Sequence, residues 1–424
     1  MQVHSSWNDG FLKLVFEVQS PGNLVDAAGK SMRRFEANFE IDSQVAIGLH
    51  PDQLGLAALL CVGPYARKIL LDWGVSDEFS WAVKTSLGVE IGPARSDVPK
   101  RRTMHNSRPG LAFSGGVDSL AAGLVMPDEF LGVFLDRIQV DSTSSSLYKS
   151  EAALSAVDAM RSFGWDVEVV RTDLEHVRSP VGFPWNLSHG WDASATVGLV
   201  LLANEKSLNS VGTGTIMESA YGLDHLVWRD YADCVHGMWN PVFEAVSLEL
   251  FQPVVGVSEV GTSKIVRDAG LDDVASPCVR GTLGQSCMRC VKCFRKSLLQ
   301  GALTGNWPTE VDLEQFRSSR SVVSALASPL VHHYGVYAWA LERYSGKSPS
   351  LLELNSRLFR IPMAWSFLEA WNPDSSRTWP ERYRRKALEK LNRYLDPYSS
   401  SQRMVPKELK LGLVGQLPMH DSWG

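Results

Sequence analysis

Two short stretches carry residue types and spacings that can do chemistry. The first is Ser114-Gly115-Gly116-Val117-Asp118-Ser119. It follows the apolar run Leu111-Ala112-Phe113, which suits a buried parallel strand. It precedes Val117, Leu120, Ala121, Leu124 and Val125, which recur at helical spacing. A strand, a glycine-containing loop and a helix start make an anion site, because loop N–H groups and the positive end of the helix dipole face the same point. Gly115 and Gly116 let the main chain approach a phosphate closely. Ser114 and Ser119 add hydroxyl donors, and Asp118 can hold a metal ion or orient a pyrophosphate. The second stretch holds four of the six cysteines within sixteen residues, Cys278, Cys287, Cys290 and Cys293, spaced C-x8-C-x2-C-x2-C. Four thiolates close a tetrahedral zinc site and leave no position for water, which makes such a site structural. A bacterial ferredoxin run would need a further cysteine three residues on, and Phe294-Arg295-Lys296-Ser297 stands there instead.

The loop is not a Walker loop, which is longer and contains a lysine. It resembles the loop of the PP-loop ATP pyrophosphatases, which cleave ATP between the α and β phosphates and use the AMP half to activate a carboxylate, carbonyl or amide. A PP-loop followed by this cysteine spacing is similar to the 7-cyano-7-deazaguanine synthases, the QueC family. Tyr231-Ala232-Asp233-Cys234 resembles that family's Tyr-Pro-Asp-Cys stretch, with Val235 where an arginine usually follows. Pro184-Trp185-Asn186 resembles its Pro-x-Arg-Asn segment without the arginine. Thr262-Ser263-Lys264-Ile265-Val266 resembles its helix start after the last strand, and Lys296 takes the basic position past the last cysteine. The resemblance covers about residues 109 to 300.

What it implies is an ATP-dependent C–N ligase working on 7-carboxy-7-deazaguanine with ATP, Mg²⁺ and Zn²⁺. The carboxylate is adenylated, pyrophosphate leaves, and ammonia forms the amide, with a second activation giving the nitrile. In that reading Ser114, Asp118 and Ser119 are catalytic, and Ser114 to Ser119 with Lys264 hold ATP. Asn186, Glu218, Asp233 and Lys296 contact the deazaguanine. QueC-like proteins also occur in antiphage defence systems, so a protein amine or a defence partner is a second expected acceptor, and a homodimer is allowed. Two other readings stay open: a PP-loop tRNA-modifying thiolase or ligase, and a non-catalytic nucleotide-binding scaffold.

The elements that must position these residues follow from the pattern. From Pro109 onward strand and helix signals alternate: Phe130 to Leu135, a helix over 145–163, Val167 to Val170, a helix over 192–206, Val211 to Ile216 and Leu248 to Val255. This predicts an α/β fold, a Rossmann-like doubly wound parallel sheet. Ligands in such sheets bind beyond the carboxyl ends of the strands, which makes Asp136, Gly212, Thr213 and Gly214 further cofactor-binding candidates. The expected domains are an α+β unit over 1–92, a linker over 93–108, the PP-loop domain with its zinc knot over 109–300, and a helical extension over 301–424. In the first unit, Phe11 to Val18 and Phe35 to Ile41 read as strands, and residues 50–60 and 76–87 as helices. Trp7, Trp73 and Trp81 read as core or interface residues, and Cys61 and Cys234 as buried thiols. In the extension, helices are expected over 311–326, 328–344, 350–360 and 383–395. The last carries Arg382, Arg384, Arg385, Lys386, Lys390 and Arg393, diluted by Glu381, Glu389 and Asp396, and reads as a solvated face.

A chain of 424 residues with 44% hydrophobic and 21% charged content is ordinary for a globular protein. A net charge of −5 argues against a protein that coats nucleic acid. No apolar run reaches the roughly 20 residues needed to span a bilayer. The first residues lack a basic and then apolar leader pattern, and the clustered cysteines fit a reducing compartment, so a cytoplasmic location is expected.

Overall fold

The computed structural model describes residues 1–18, 24–25, 31–103, 106–138, 150–177, 192–275, 278, 280–281, 285–328, 331–358 and 363–403. Ten strands form one continuous sheet: β1 Gln2–Asn8, β2 Phe11–Glu17, β3 Glu36–Glu40, β4 Lys68–Ser76, β5 Glu90–Arg95, β6 Arg108–Ala112, β7 Leu131–Arg137, β8 Asp166–Thr172, β9 Leu208–Thr213 and β10 Glu249–Leu250. Their order is β10-β9-β6-β7-β8-β3-β2-β1-β4-β5. The five strands from β10 to β8 are mutually parallel. Antiparallel pairing then joins β8 to β3, β3 to β2 and β2 to β1, and β4 and β5 return to parallel. The fold is therefore mixed α/β with a mostly parallel sheet.

β6 and β7 are mostly buried and nowhere exposed, as strands covered on both faces must be. β2, by contrast, alternates buried and less buried residues along its length. β1 and β4 did not stand out in the sequence. In β1 only Val3 is buried, so no alternation is visible. The strand expected over 248–255 shortens to two residues. Pro253 brings no N–H to a ladder, and the Gln252 carbonyl accepts from Trp379 Nε1 instead (2.9 Å).

The sheet's core runs across residue 92 without a break. The Pro51–Val62 helix packs on the Val197–Leu202 helix, and Asp77–Leu87 on Gly237–Ala245. Gln53 Nε2 donates to the Val200 carbonyl (2.8 Å) and Ser194 Oγ to that of Leu60 (2.7 Å). The Pro51–Val62 helix is set by a capping box between His50 and Gln53 with proline at its first turn. The helix over 192–206 divides into a 3₁₀ turn, Asp192–Thr196, and an α-helix, Val197–Leu202. Trp81 and Trp7 are exposed (67% and 43%), so neither is a core residue, while Trp73 is half-buried. Cys61 is buried and its thiol is pushed up by desolvation, whereas Cys234 lies exposed and is no buried thiol. Among the described residues no helix is long and apolar enough to cross a membrane.

The basic stretch Lys100-Arg101-Arg102 lies before β6. Arg101 is 4% exposed, and its guanidinium donates to Asn204 Oδ1 (2.6 Å) and to the carbonyls of Ala203, Leu208, Val246 and Ser247 (2.8, 2.8, 3.2 and 3.1 Å). It ties the start of β9 to the turn before β10. Burial lowers its pKa to about 10. Arg101→Ala would strand several carbonyls at once, each costing on the order of 1 kcal/mol or more. The variant is expected to lose at least about 3 kcal/mol in urea unfolding, read as a lower midpoint at unchanged slope.

The region after 300 is helical: Glu310–Arg317, Arg320–Leu326, Tyr334–Glu342, Pro349–Leu358 and Glu381–Leu391. The last helix packs on the Val117–Val125 helix. Its cations are spent on the chain itself: Arg382 pairs with Glu249, Arg384 with Glu381, Arg385 with Glu389, Lys386 with Glu129 and Lys390 with Asp128. Tyr383 Oη also donates to Asn209 Oδ1 (2.7 Å).

Candidate functional site

β6 ends at Ala112, whose neighbour across the ladder on β9 is Thr213, while Leu111 faces Gly212. The strand thus delivers the loop 114–119 to the carboxyl edge of the sheet. Gly115 is buried and takes φ +71°, a left-handed conformation that glycine adopts without strain. Gly116 precedes the Val117–Val125 helix in extended conformation, and no side chain caps that helix. Its first N–H groups are left to point out of the N-terminus. Ser119 is buried and braces the loop from within. Its Oγ donates to the Gly116 carbonyl (2.9 Å), meets Ser114 Oγ (3.1 Å) and accepts from Ser114 N–H (3.2 Å). Ser114 itself is exposed.

A second loop closes against the first. A Cβ placed on Gly214 would lie 2.6 Å from Ser119 N and 2.7 Å from the Asp118 carbonyl carbon, so only glycine lets the end of β9 approach this closely. Thr213 is held by Gln252, whose Oε1 accepts from Thr213 N–H and Oγ1 (2.8 Å each). Asp136, at the end of β7, is buried, accepts from Ser150 Oγ (2.9 Å) and lies 3.6 Å from the Arg171 guanidinium.

Behind the loop stands a buried chain of charges. Thr262 Oγ1 donates to Asp118 Oδ1 (2.7 Å), while Asp118 Oδ2 has no partner among the described residues. Thr262 sits on the Glu259–Asp268 helix, which Ser258 caps by accepting from Gly261 N–H (3.1 Å). The first residue of that helix, Glu259, donates its N–H to both oxygens of Glu218 (3.0 and 3.1 Å). The Glu259 carboxylate accepts from Arg295 Nε (2.7 Å), with His333 Nδ1 at 3.5 Å. Arg295, His333 and Lys296 outweigh burial and hold Glu259 down at about 2. Glu218 goes the other way: burial first, then the neighbouring Glu259 charge, raises it to about 8. Two adjacent carboxyls cannot both ionise cheaply, and the one with cations takes the charge. Lys296 exposes part of its stem, but its Nζ is buried and has no hydrogen-bond partner among the described residues. Burial, with Lys292 adding to it, lowers its pKa to about 8, while Asp118 and Glu259 pull upward.

The proton on Glu218 has a consequence for stability. With a folded pKa of about 8 against 4.5 unfolded, the native state binds more protons between those values. This contribution is whole below pH 4.5 and is lost as pH rises to about 8, at up to about 1.4 kcal/mol per pH unit. Glu218→Gln mimics the protonated form. Its melting temperature is expected to gain on the wild type steadily as pH rises across that window, read by calorimetry at several pH values.

The four cysteines come together as their spacing predicts. All four Sγ atoms lie within 4.8 Å of one another, with Cys287–Cys293 at 3.6 Å and Cys290–Cys293 at 3.4 Å. A tetrahedral ion with Zn–S bonds of about 2.3 Å separates its sulfurs by about 3.8 Å, so the donors fit a single zinc-sized ion. Cys290 also caps the Val291–Thr304 helix by accepting from Cys293 N–H (3.4 Å). One turn further along, that helix presents Arg295 and Lys296 to Glu259 and Asp118, so the knot anchors the cationic wall of the site.

Not every candidate reaches the loop. Lys264 lies two residues past Thr262, and residues so spaced do not share a helix face. Its Nζ is 3.8 Å from Glu369. Asp233 is exposed on the Ala232–His236 turn and makes no hydrogen bond among the described residues. Asn186 lies outside the described residues. Glu259, Arg295, His333 and Gln252 were not singled out from the sequence, and Thr262 was read only as part of a helix start, with Lys264 as its ligand-holding residue. The candidate Lys296, next to Arg295, was the signal nearest to this charge chain.

Residues 238–408 match the model of a family of unknown function, DUF6395. The match takes in the cysteines, Glu259, Arg295, Lys296 and the following helices, and begins after the loop. No curated protein matches the chain. Among solved structures, one similar chain is the U34-tRNA thiolase NcsA from Methanococcus maripaludis with its 4Fe-4S cluster. It is 14% identical over 57% of this chain and 76% of that one, with a TM-score of 0.28.

Proposed function

We propose that the chain is an ATP pyrophosphatase-type enzyme that adenylates a carboxylate, with 7-carboxy-7-deazaguanine as the substrate, and passes the acyl group to ammonia or a protein amine. The observation that carries this reading is the loop 114–119, with its uncapped helix start, the half-engaged Asp118 carboxylate and the unpaired Lys296 ammonium behind it. A carboxylate is a poor electrophile until one of its oxygens becomes a good leaving group. Attack of that oxygen on the α-phosphorus breaks the bond to the β-phosphate oxygen and releases pyrophosphate. The amine then attacks the acyl carbon, AMP leaves, and the amine's proton goes to solvent. The uncapped helix N–H groups would donate to the departing pyrophosphate, where one well-placed donor is worth about 3–4 kcal/mol. Asp118 Oδ2 would hold Mg²⁺, which neutralises phosphate charge. The cysteine knot would hold Zn²⁺ as a support with no chemical part.

The same loop and four thiolates would serve a thiolase or ligase acting on a tRNA base carbonyl, since four cysteines also suit an iron–sulfur cluster. Metal content separates the two: zinc and a colourless protein support the carboxylate reading, iron and a brown one the thiolase. The decisive assay incubates the protein with ATP, Mg²⁺, 7-carboxy-7-deazaguanine and ammonia or candidate proteins. AMP and an amide seen by mass spectrometry are the expected result, and no AMP under any of these conditions overturns the proposal.

A further inference from the structure

Next to His333, which reaches Glu259, a second group of ligand-type side chains converges. Asp224 is buried, and its Oδ2 lies 3.1 Å from His332 Nε2 and 3.9 Å from His225 Nε2. One ligand atom from each of Asp224, His225 and His332 falls within 4.8 Å of the other two. The two imidazoles meet edge to face at 4.8 Å between centroids and are each about half exposed (44% and 49%). They come from distant parts of the chain: His225 from the 3₁₀ turn Leu223–His225, and His332 from the residues leading into the Tyr334–Glu342 helix. His333 N–H donates to the Asp224 carbonyl (3.1 Å) and ties the two segments together. Leu226 and His333 flank the group in left-handed conformation (φ +53° and +61°), at a cost that non-glycine residues rarely meet without compensation.

We infer that Asp224, His225 and His332 bind a divalent transition-metal ion, separate from the cysteine knot. Two imidazoles with one carboxylate are the donor set of zinc and other borderline divalent ions, at bonds of about 2.0–2.2 Å. Ligands at such distances stand roughly 3.0–3.6 Å apart, a spacing that rotation of two exposed imidazoles reaches while the buried carboxylate stays put. Besides the His332 ring at 3.1 Å, a second imidazole nitrogen stands 3.9 Å from the same Asp224 oxygen. Three protein ligands leave at least one position for water or an anionic oxygen of a substrate, unlike the closed four-thiolate knot. His333, next in sequence to His332, reaches Glu259 at 3.5 Å, so an ion here would steady the end of the charge chain opposite Asp118. The inference stands on these residues alone and does not depend on the adenylation reading.

The test is a Co²⁺ titration of the tag-free protein as purified, with the cysteine knot already filled. Calorimetry and visible absorption are expected to show one further equivalent, with cobalt d–d bands and no thiolate charge-transfer absorption. His225→Ala and His332→Ala remove exposed rings and are expected to weaken that equivalent by at least about 100-fold, since even outer-shell losses cost 10–100-fold. His4→Ala, on β1, should leave it unchanged. No further equivalent in the wild type, or one that survives both substitutions, overturns the inference.

Discussion

Asp118→Asn is expected to lower AMP-forming turnover by about 10²–10³-fold at saturating ATP, the range seen when one aimed group is lost from a developing charge. The melting temperature should move by no more than a few degrees. The substitution keeps an oxygen to accept from Thr262 Oγ1, now at 2.7 Å, and so preserves the local packing. What it removes is the negative charge that would hold Mg²⁺ against the phosphates. Thr262→Val provides the complementary variant, leaving the carboxylate but not its orientation, and should cost less. Lys296→Met separates binding from stability in the opposite sense. The buried, unpaired Nζ is a liability in the ligand-free protein, and a well-packed thioether in its place is expected to raise the melting temperature while lowering kcat/KM. Pyrophosphate release and calorimetry read both effects. If Asp118→Asn keeps wild-type turnover, the loop is not where ATP is cleaved.

Removal of the Zn²⁺ proposed for Cys278, Cys287, Cys290 and Cys293 is expected to be the most destructive single change. Structural zinc contributes roughly 10–16 kcal/mol of apparent binding energy in small metal-dependent domains. That is as large as the whole stability of an ordinary domain, about 5–15 kcal/mol. Here the loss extends beyond the knot. Cys290 starts the Val291–Thr304 helix, and that helix brings Arg295 to within 2.7 Å of the fully buried Glu259. Without it Glu259 becomes a buried charge without its main partner, a state that costs about 3–5 kcal/mol. Chelation under reducing conditions should therefore abolish helical signal from the C-terminal half and activity together, and one equivalent of Zn²⁺ should restore both. A chelated protein that keeps its circular dichroism and its turnover would show that the cysteines do not hold the site together.

How much of this was legible from residues alone differs from element to element. The β6 strand, the loop and the Val117–Val125 helix stand where spacing placed them, because glycine backbone freedom, burial of a short apolar run and helical periodicity all act within a few residues. The cysteine cluster was readable for the same reason. β1 and β4 were not, since the first buries a single side chain and both owe their place to neighbours across the sheet. The basic C-terminal helix was visible as a charge pattern, but its use was not. Only packing shows that Arg382, Lys386 and Lys390 are engaged with Glu249, Glu129 and Asp128.

By itself, then, the sequence determined a glycine-containing loop between a strand end and a helix start, a cluster of four cysteines and an alternating α/β core, all products of short-range spacing. Tertiary structure decided which charges surround that loop. Asp118, Glu218, Glu259, the Arg295-Lys296 pair and His333 come from separate parts of the chain, and only the packing of four helices and the start of a fifth sets which carboxyl keeps its proton and which cation goes unpaired. The physical reason is burial: desolvation acts on a group only once the surrounding elements have closed over it, and no local pattern records that event.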